Sequence, residues 1–494
     1  MKDRACLQVS PASRPESVAV IGAGPAGLTA ALKLAAAGIS VELFEAGPRV
    51  GGMAQSFDLW NQRVDMGPHR FFSSDTRVNE VWLEAVGQDY AMVDRLTRIY
   101  YRGKFFFYPL KPFNALLNLG PFEAIRCFMS YAKQRMAPEP TDDSFEGWVV
   151  SRFGRRLFEI FFKTYSEKLW GIPCTKLDAD FAAQRIKKLS LFEAVKNALF
   201  KGKGNMHKTL VDRFAYPTSG AGLVYERMAE RFEALGGKLH VKRPVRRVVD
   251  ENGVIVGIEL EDGEFRRFDH VVSTMPLTLL VSRLAEVPTD VLEAARGLRF
   301  RNTILVYLRV EAERVFPDNW LYIHSPELKT GRVTNFRNWL PSLYGAERSS
   351  ILALEYWCDD EDALWEAKDD ALVDLASTEI RKTGLIGNPA IAGGYVRRVP
   401  RCYPIYERGY KTKVDVLRDY LEKLRGLSVI GRYGAFKYNN QDHSILMGLL
   451  VAENLVSGTT HDLWSVNTDY ENYQESSVIT ETGLERQQTP VGAA

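Results

Sequence analysis

The chain lacks any marked excess of charge, with 64 lysines and arginines against 62 aspartates and glutamates in 494 residues. Affinity for nucleic acid comes from a basic excess that neutralises phosphates, so no nucleic-acid partner is expected. Short basic clusters such as Arg155-Arg156, Lys187-Lys188 and Arg246-Arg247 read as solvated faces. Cysteine is scarce and scattered. Cys6, Cys127, Cys174, Cys358 and Cys402 never fall in C-x-x-C spacing, which argues against a disulfide framework and a zinc site, and no metal is expected. Such cysteine usage fits a reducing cytoplasm. Long apolar runs are also missing: no stretch approaches the roughly 18 to 20 residues of a membrane span, so no integral membrane segment is expected. The leading residues hold charges, Pro11 and Pro15 and no apolar centre, and read as a loose leader rather than a secretion signal. No repeat of solenoid period occurs. Nor is there a convincing serine, cysteine or metal constellation suited to covalent or hydrolytic catalysis.

What is present is concentrated in SVAVIGAGPAGLTAALKLAAAGISVELFE, from Ser17 to Glu45. Val18 to Ile21 form a continuous apolar run of buried parallel-strand type, and Gly22, Gly24 and Gly27 follow in G-x-G-x-x-G spacing. The first glycine permits a tight turn, the second lets a pyrophosphate approach the backbone, and the third lets the helix pack close to the strand. Helix amides after Pro25, beginning at Ala26, face the phosphate at the positive end of the helix dipole. Gly38 ends the helix, Val41 to Phe44 make a second strand, and Glu45 stands where an acid binds a ribose hydroxyl pair. These residues specify a dinucleotide and leave FAD and NAD both open.

The segment that follows, Arg49, Gly51, Gly52 and Met53, resembles the R-x-G-G stretch of the large FAD family that includes amine oxidases, protoporphyrinogen oxidases, phytoene desaturases and UDP-galactopyranose mutases, and this resemblance selects FAD. Four separated stretches are similar to the mutases, closer to the eukaryotic branch than to the bacterial one. Gly67-Pro68-His69 matches the loop whose histidine stands against the flavin. Trp170 to Arg185 matches a W-x-x-P-T segment ending in an arginine that grips the substrate diphosphate. Trp320-Leu321-Tyr322 with Arg332 matches the position of a second such arginine. Gly431-Arg432, Tyr438 and Asn440-Gln441-Asp442-His443-Ser444 match the G-R-x-G and N-Q-D-H-S flavin segment, and Tyr403-Pro404 matches its Y-P.

The resemblance implies catalytic roles for His69, Arg185 and Arg332. It implies FAD contacts from Gly22, Gly24, Ala26, Gly27, Glu45, Arg49, Gly51, Gly52, Met53, Gly67, His69, Val245, Gly431, Arg432, Gln441, Asp442 and Ser444. Substrate contacts fall to Tyr108, Trp170, Arg185, Tyr322, Arg332, Tyr403 and Tyr438. Lys111 stands where the eukaryotic pattern has glutamine and Ser166 where it has asparagine, which leaves the base and the sugar open. The activity implied is a redox-neutral interconversion of pyranose and furanose forms of a nucleotide-diphosphate sugar through a reduced-flavin N5-sugar adduct, with NADPH or NADH as possible reductant. The alternatives are an FAD oxidoreductase of amine oxidase, protoporphyrinogen oxidase or desaturase type, and a cofactor-retaining scaffold without turnover.

The fold expected is α/β, with a Rossmann-like FAD-binding domain assembled from discontinuous segments, a helical insertion and a second mixed β-sheet domain. The cofactor domain is assigned 17–105, 209–298 and 426–475, the helical lid 106–208, the substrate sheet 299–425, and a disordered tail 476–494. Helical spacing of Phe145, Val149, Phe153, Leu157, Phe161 and Tyr165 marks the lid. Strands are expected over 240–249, 253–261 and 266–274. A homo-oligomer is possible.

Overall fold

The computed structural model describes residues 14–108, 110–137, 142–180, 213–466 and 477–486. The chain forms two compact units: residues 1–55, 224–295 and 415–467 make the first, and 56–223, 296–414 and 468–494 the second. Residues 56–105 therefore go with the second unit and not with the cofactor segments on either side of them.

The first unit holds a parallel five-stranded sheet in the order Leu427–Val429, His270–Ser273, Ser17–Ile21, Ser40–Glu45, Lys238–Val241. Val18, Ala19 and Val20 have no exposed surface, as expected of a central parallel strand covered on both faces. The Pro25–Ala36 helix packs against the Gln441–Ser457 helix. Gly448 makes that approach possible, because a Cβ there would lie 2.6 Å from the Ala26 carbonyl oxygen.

The strands expected over 240–249 and 266–274 are each divided. Lys242, in the left-handed region at φ 54°, ends the parallel strand Lys238–Val241, and Val245–Glu251 then joins Val254–Leu260 and Phe265–Arg267 in a separate antiparallel sheet. The chain crosses back at Phe268 and Asp269 to enter the parallel sheet at His270. The first break carries a local signal in Lys242-Arg243-Pro244, a charged pair and a proline between Val241 and Val245, whereas at the second only Asp269 and His270 interrupt the apolar residues.

The second unit is built on a mixed seven-stranded sheet in the order Ile391–Pro404, Phe300–Val310, Ser350–Cys358, Arg332–Asn335, Trp320–Ile323, Thr97–Tyr101, Lys104–Phe107. One pairing, Trp320–Ile323 with Thr97–Tyr101, is parallel. The Phe145-to-Tyr165 helical run is broken into Phe145–Phe153, Arg155–Phe158, a π turn Glu159–Lys163, and Thr164–Trp170. Gly154 causes the first break at φ 78°, where a Cβ would lie 2.9 Å from the Tyr131 amide nitrogen.

The tail expected to be disordered contains a hairpin of Ser477–Thr480 and Gly483–Arg486. It is held because Tyr90 donates its hydroxyl to the Thr480 carbonyl at 2.8 Å and Arg213 pairs with Glu481 at 2.7 Å. From 181 onward, the far end of the helical lid expected over 106–208 lies outside the described residues. Among the described residues no helix is long and apolar enough to cross a membrane, and no cluster of three metal-binding side chains occurs.

Candidate active site

In the first unit the three motif glycines are required for three different reasons. Gly22, at φ 96°, has no room for a side chain, since a Cβ would lie 2.1 Å from Thr274 Oγ1. At Gly27 a Cβ would lie 1.9 Å from the Gly22 carbonyl oxygen, so the helix touches the strand turn directly. Gly24 is different: the nearest atom to its Cβ position is Gly52 Cα at 3.9 Å, so a side chain here would fill space that a ligand can use. The helix after Gly24 has no side-chain cap, which leaves its first-turn amides available to an anion.

Glu45 is fixed by two amides, accepting from Ala23 at 2.9 Å and Gly47 at 2.7 Å. Gly51 donates to the Ala23 carbonyl at 2.7 Å, which brings the second glycine pair against the first turn. Arg49 is exposed and Met53 half-buried. Gly431, at φ 85°, would place a Cβ 3.3 Å from Ala26, so it too lies on the helix start. Arg432 donates to the Asn439 carbonyl at 2.9 Å and lies over the Tyr438 ring at 4.3 Å. Gln441 accepts from the buried Tyr225 hydroxyl at 2.7 Å, Asp442 Oδ1 lies 2.9 Å from His443 Nδ1, and Ser444 is buried in the same first turn. Val245 is buried and its carbonyl accepts from Arg283. This cradle fits the diphosphate and ribose of FAD: open space at Gly24, an uncapped helix start and an acid at the strand end.

In the second unit the sheet register sets Tyr322 beside Arg332 and Arg332 beside Glu355 on three adjacent strands. Arg332 makes a two-pronged ion pair with Glu355, Nε at 2.6 Å and Nη2 at 2.5 Å, while Nη1 has no hydrogen-bond partner among the described residues. Burial works against the guanidinium charge, yet the Glu355 carboxylate outweighs it and holds Arg332 well above its usual range. Tyr403 places its hydroxyl 3.5 Å from Arg332 Nη2. The Gly67 loop rests on the same pair, since a Cβ at Gly67 would lie 3.2 Å from Glu355 Oε1 and 3.8 Å from Arg332 Nη2. His69 Nε2 is 3.0 Å from the Met66 carbonyl oxygen.

Aromatic rings frame the pair. Tyr322 meets Tyr108 edge-on at 5.0 Å and Tyr165 at 5.5 Å. Tyr403 meets Trp357 and Trp170, both at 6.3 Å. Trp170 has no exposed surface, so it braces Tyr403 and Tyr406 and presents nothing to a ligand directly. Tyr165 also stacks on His324, whose imidazole burial pushes down to about 3 and keeps neutral.

The loop is anchored behind Gly67 by Asp65, which is fully buried and accepts from Ser56 Oγ at 2.5 Å, the Tyr216 hydroxyl at 2.7 Å and the Ala221 amide at 3.1 Å. Burial pushes its carboxyl up to about 6, against the pull of those three donors.

The structure thus gathers the side chains of Tyr108, Tyr322, Arg332 and Tyr403, with the Gly67 backbone against them, into one cluster of the second unit, while Tyr438 belongs to the first unit. Arg185 lies outside the described residues. The sequence reading missed Glu355, Tyr165, Asp65, Thr274 and Gly448. Glu355 had a usable signal: a lone acid in the apolar run ILALEYW, where a buried charge calls for a partner.

A family model described as flavin containing amine oxidoreductase matches residues 25–406. A coproporphyrinogen III oxidase of Staphylococcus aureus is 26% identical over 223 residues, 42% of this chain and 47% of its own, so the chain spans about half the length of that curated relative. A lycopene-forming phytoene desaturase of Paracoccus is 25% identical over 378 residues, 64% of this chain and 72% of its own. Among solved structures, a reduced UDP-galactopyranose mutase is similar with a TM-score of 0.81 at 21% identity, covering 92% of this chain and 97% of that one. That likeness shows the fold.

Proposed function

The chain belongs to the flavin containing amine oxidoreductase family, and on that premise we propose that it is an FAD-dependent mutase interconverting ring forms of a nucleotide-diphosphate sugar. The observation that carries this reading is the Arg332–Glu355 pair with Tyr322 and Tyr403 beside it, a fixed guanidinium edge among phenol hydroxyls. A diphosphate gathers negative charge as its bond to the sugar breaks, and donors held in place before the reaction stabilise that charge most. Glu355 orients the fork, Arg332 offers Nη1 to a phosphate oxygen, and Tyr322 and Tyr403 add neutral donors. Trp170 holds Tyr403 in place. Arg185 is proposed as the second cation and His69 as the histidine of the cofactor. Bound FAD supplies an electron-rich nucleophile when reduced and a hydride acceptor when oxidised. NADPH or NADH is proposed as reductant.

The test compares dithionite-reduced and oxidised enzyme on UDP, dTDP and GDP sugars, with product rings identified by NMR. Isomerisation by the reduced form alone is expected, and equal rates in both states would remove the mutase. A second reading, an FAD oxidoreductase, draws on the length of the desaturase match. It expects net consumption of an electron acceptor and indifference to nucleotide diphosphates.

A further inference from the structure

The helices Pro112–Leu119 and Pro121–Met136 leave Leu117, Phe122, Ile125, Phe128, Met129 and Met136 between 56% and 84% exposed. At about 3.6 residues per turn, Phe122, Ile125, Met129 and Met136 fall in one stripe with Phe128 at its edge. The opposite face carries the buried Cys127 and Gln134. Arg126 and Lys133 border the stripe on one side and Arg135 on the other, all exposed. The helix has a single acid, Glu123, and that is held by Arg156 with Arg126 at 3.8 Å. Next to the stripe a cavity of about 520 Å³ is lined by Arg126, Lys133, Arg155 and Arg156, with Met129 and Glu159 also on its wall. Arg155 and Arg156 are answered by Glu146, Glu123 and Glu159, which leaves Arg126 and Lys133 as its more exposed cations.

A contiguous apolar stripe of this size is uncommon on a free surface and marks a place of contact. A second copy is a poor occupant, because a two-fold contact presents the same patch on both sides and sets Arg126, Lys133 and Arg135 against their own kind. An anionic bilayer suits both features, with acyl chains for the stripe and phosphates for the cations on its borders. We propose that the Pro121–Met136 helix lies flat in the headgroup layer of an anionic membrane, holding the protein on a lipid surface that it does not span. This proposal is independent of the sugar reading.

The test is sedimentation of the full chain with vesicles of phosphatidylcholine, alone or with about one quarter phosphatidylglycerol, across ionic strength. Pelleting with the anionic vesicles, weakening as salt rises, is expected. Arg126→Gln with Lys133→Gln should cut partitioning about 30-fold and flatten the salt dependence. Phe122→Ser, Ile125→Ser and Met129→Ser together should abolish pelleting, with circular dichroism and melting unchanged because all three are exposed. Absence of pelleting with anionic vesicles, or equal pelleting of both variants and the parent, would overturn the proposal. So would parent dimers in sedimentation equilibrium that the apolar variant converts to monomers, since the stripe would then be a self-interface.

Discussion

In the unit built on the five-stranded sheet the candidate site is main chain: Gly22, Gly24, Gly27, Gly52 and Gly431 crowd around an uncapped helix start. In the unit built on the seven-stranded sheet it is side chain: Arg332, Glu355, Tyr322 and Tyr403 meet from four strands. The two kinds of site fail in opposite ways. A main-chain site is harmed by adding atoms, because any Cβ occupies space meant for backbone or ligand. A side-chain site is harmed by removing them, because each partner lost leaves the other buried and unanswered.

The largest effect should come from subtraction. Glu355→Ala leaves the Arg332 guanidinium buried without its carboxylate, and a loss of roughly 3–5 kcal/mol in urea unfolding is expected. Arg332→Met combined with Glu355→Met should cost much less than either single change, since no charge is stranded. Equal costs would mean that the pair is not what holds these strands in register.

Asp65 adds a pH dependence to the same unit. Its folded value of about 6 lies above its ordinary 3.8, so the folded chain holds the proton more tightly. The contribution of Asp65 to stability is then fullest below about 3.8 and is lost as pH rises through about 6. The loss expected over that window is roughly 2–3 kcal/mol, at about 1.4 kcal/mol per pH unit of displacement. Asp65→Asn should remove this component of the slope. An unchanged slope would assign it to another group.

This division also explains what could be read from the sequence. A glycine required by close backbone approach leaves a fixed spacing in the chain, so Gly22, Gly24, Gly27 and the Glu45 strand end were legible residue by residue. Arg332 and Tyr322 were reached through resemblance, and Glu355 was not: the lone acid in ILALEYW signals only that a buried charge needs a partner, while the register that supplies Arg332 as that partner leaves no local pattern. The break at Gly154 was hidden for a related reason. Apolar spacing from Val149 through Phe153 to Leu157 continues across it while the helix is interrupted.

Addition can be tested with two substitutions three residues apart. Gly27→Ala pushes a methyl into the Gly22 carbonyl at 1.9 Å and should cost the protein roughly 1–3 kcal/mol before any cofactor is considered. Gly24→Ala meets nothing nearer than 3.9 Å, so melting of the cofactor-free protein should hold while FAD affinity falls. If Gly24→Ala binds FAD as well as the parent, the open space beside Gly24 is not the diphosphate site.

The smallest effect is expected at Tyr403, and it bears most directly on the ligand. Tyr403→Phe keeps the ring packed on Trp170 and Trp357, and the hydroxyl it removes lies 3.5 Å from Arg332 Nη2, at the limit of a hydrogen bond. Unfolding should therefore barely change. Affinity for a nucleotide diphosphate, read by titration with UDP, should fall by roughly 0.5–1.5 kcal/mol if the hydroxyl donates to phosphate. A variant that loses stability but keeps its affinity would place the Tyr403 hydroxyl in the ion pair's own support and leave Tyr322 as the phenol facing the diphosphate.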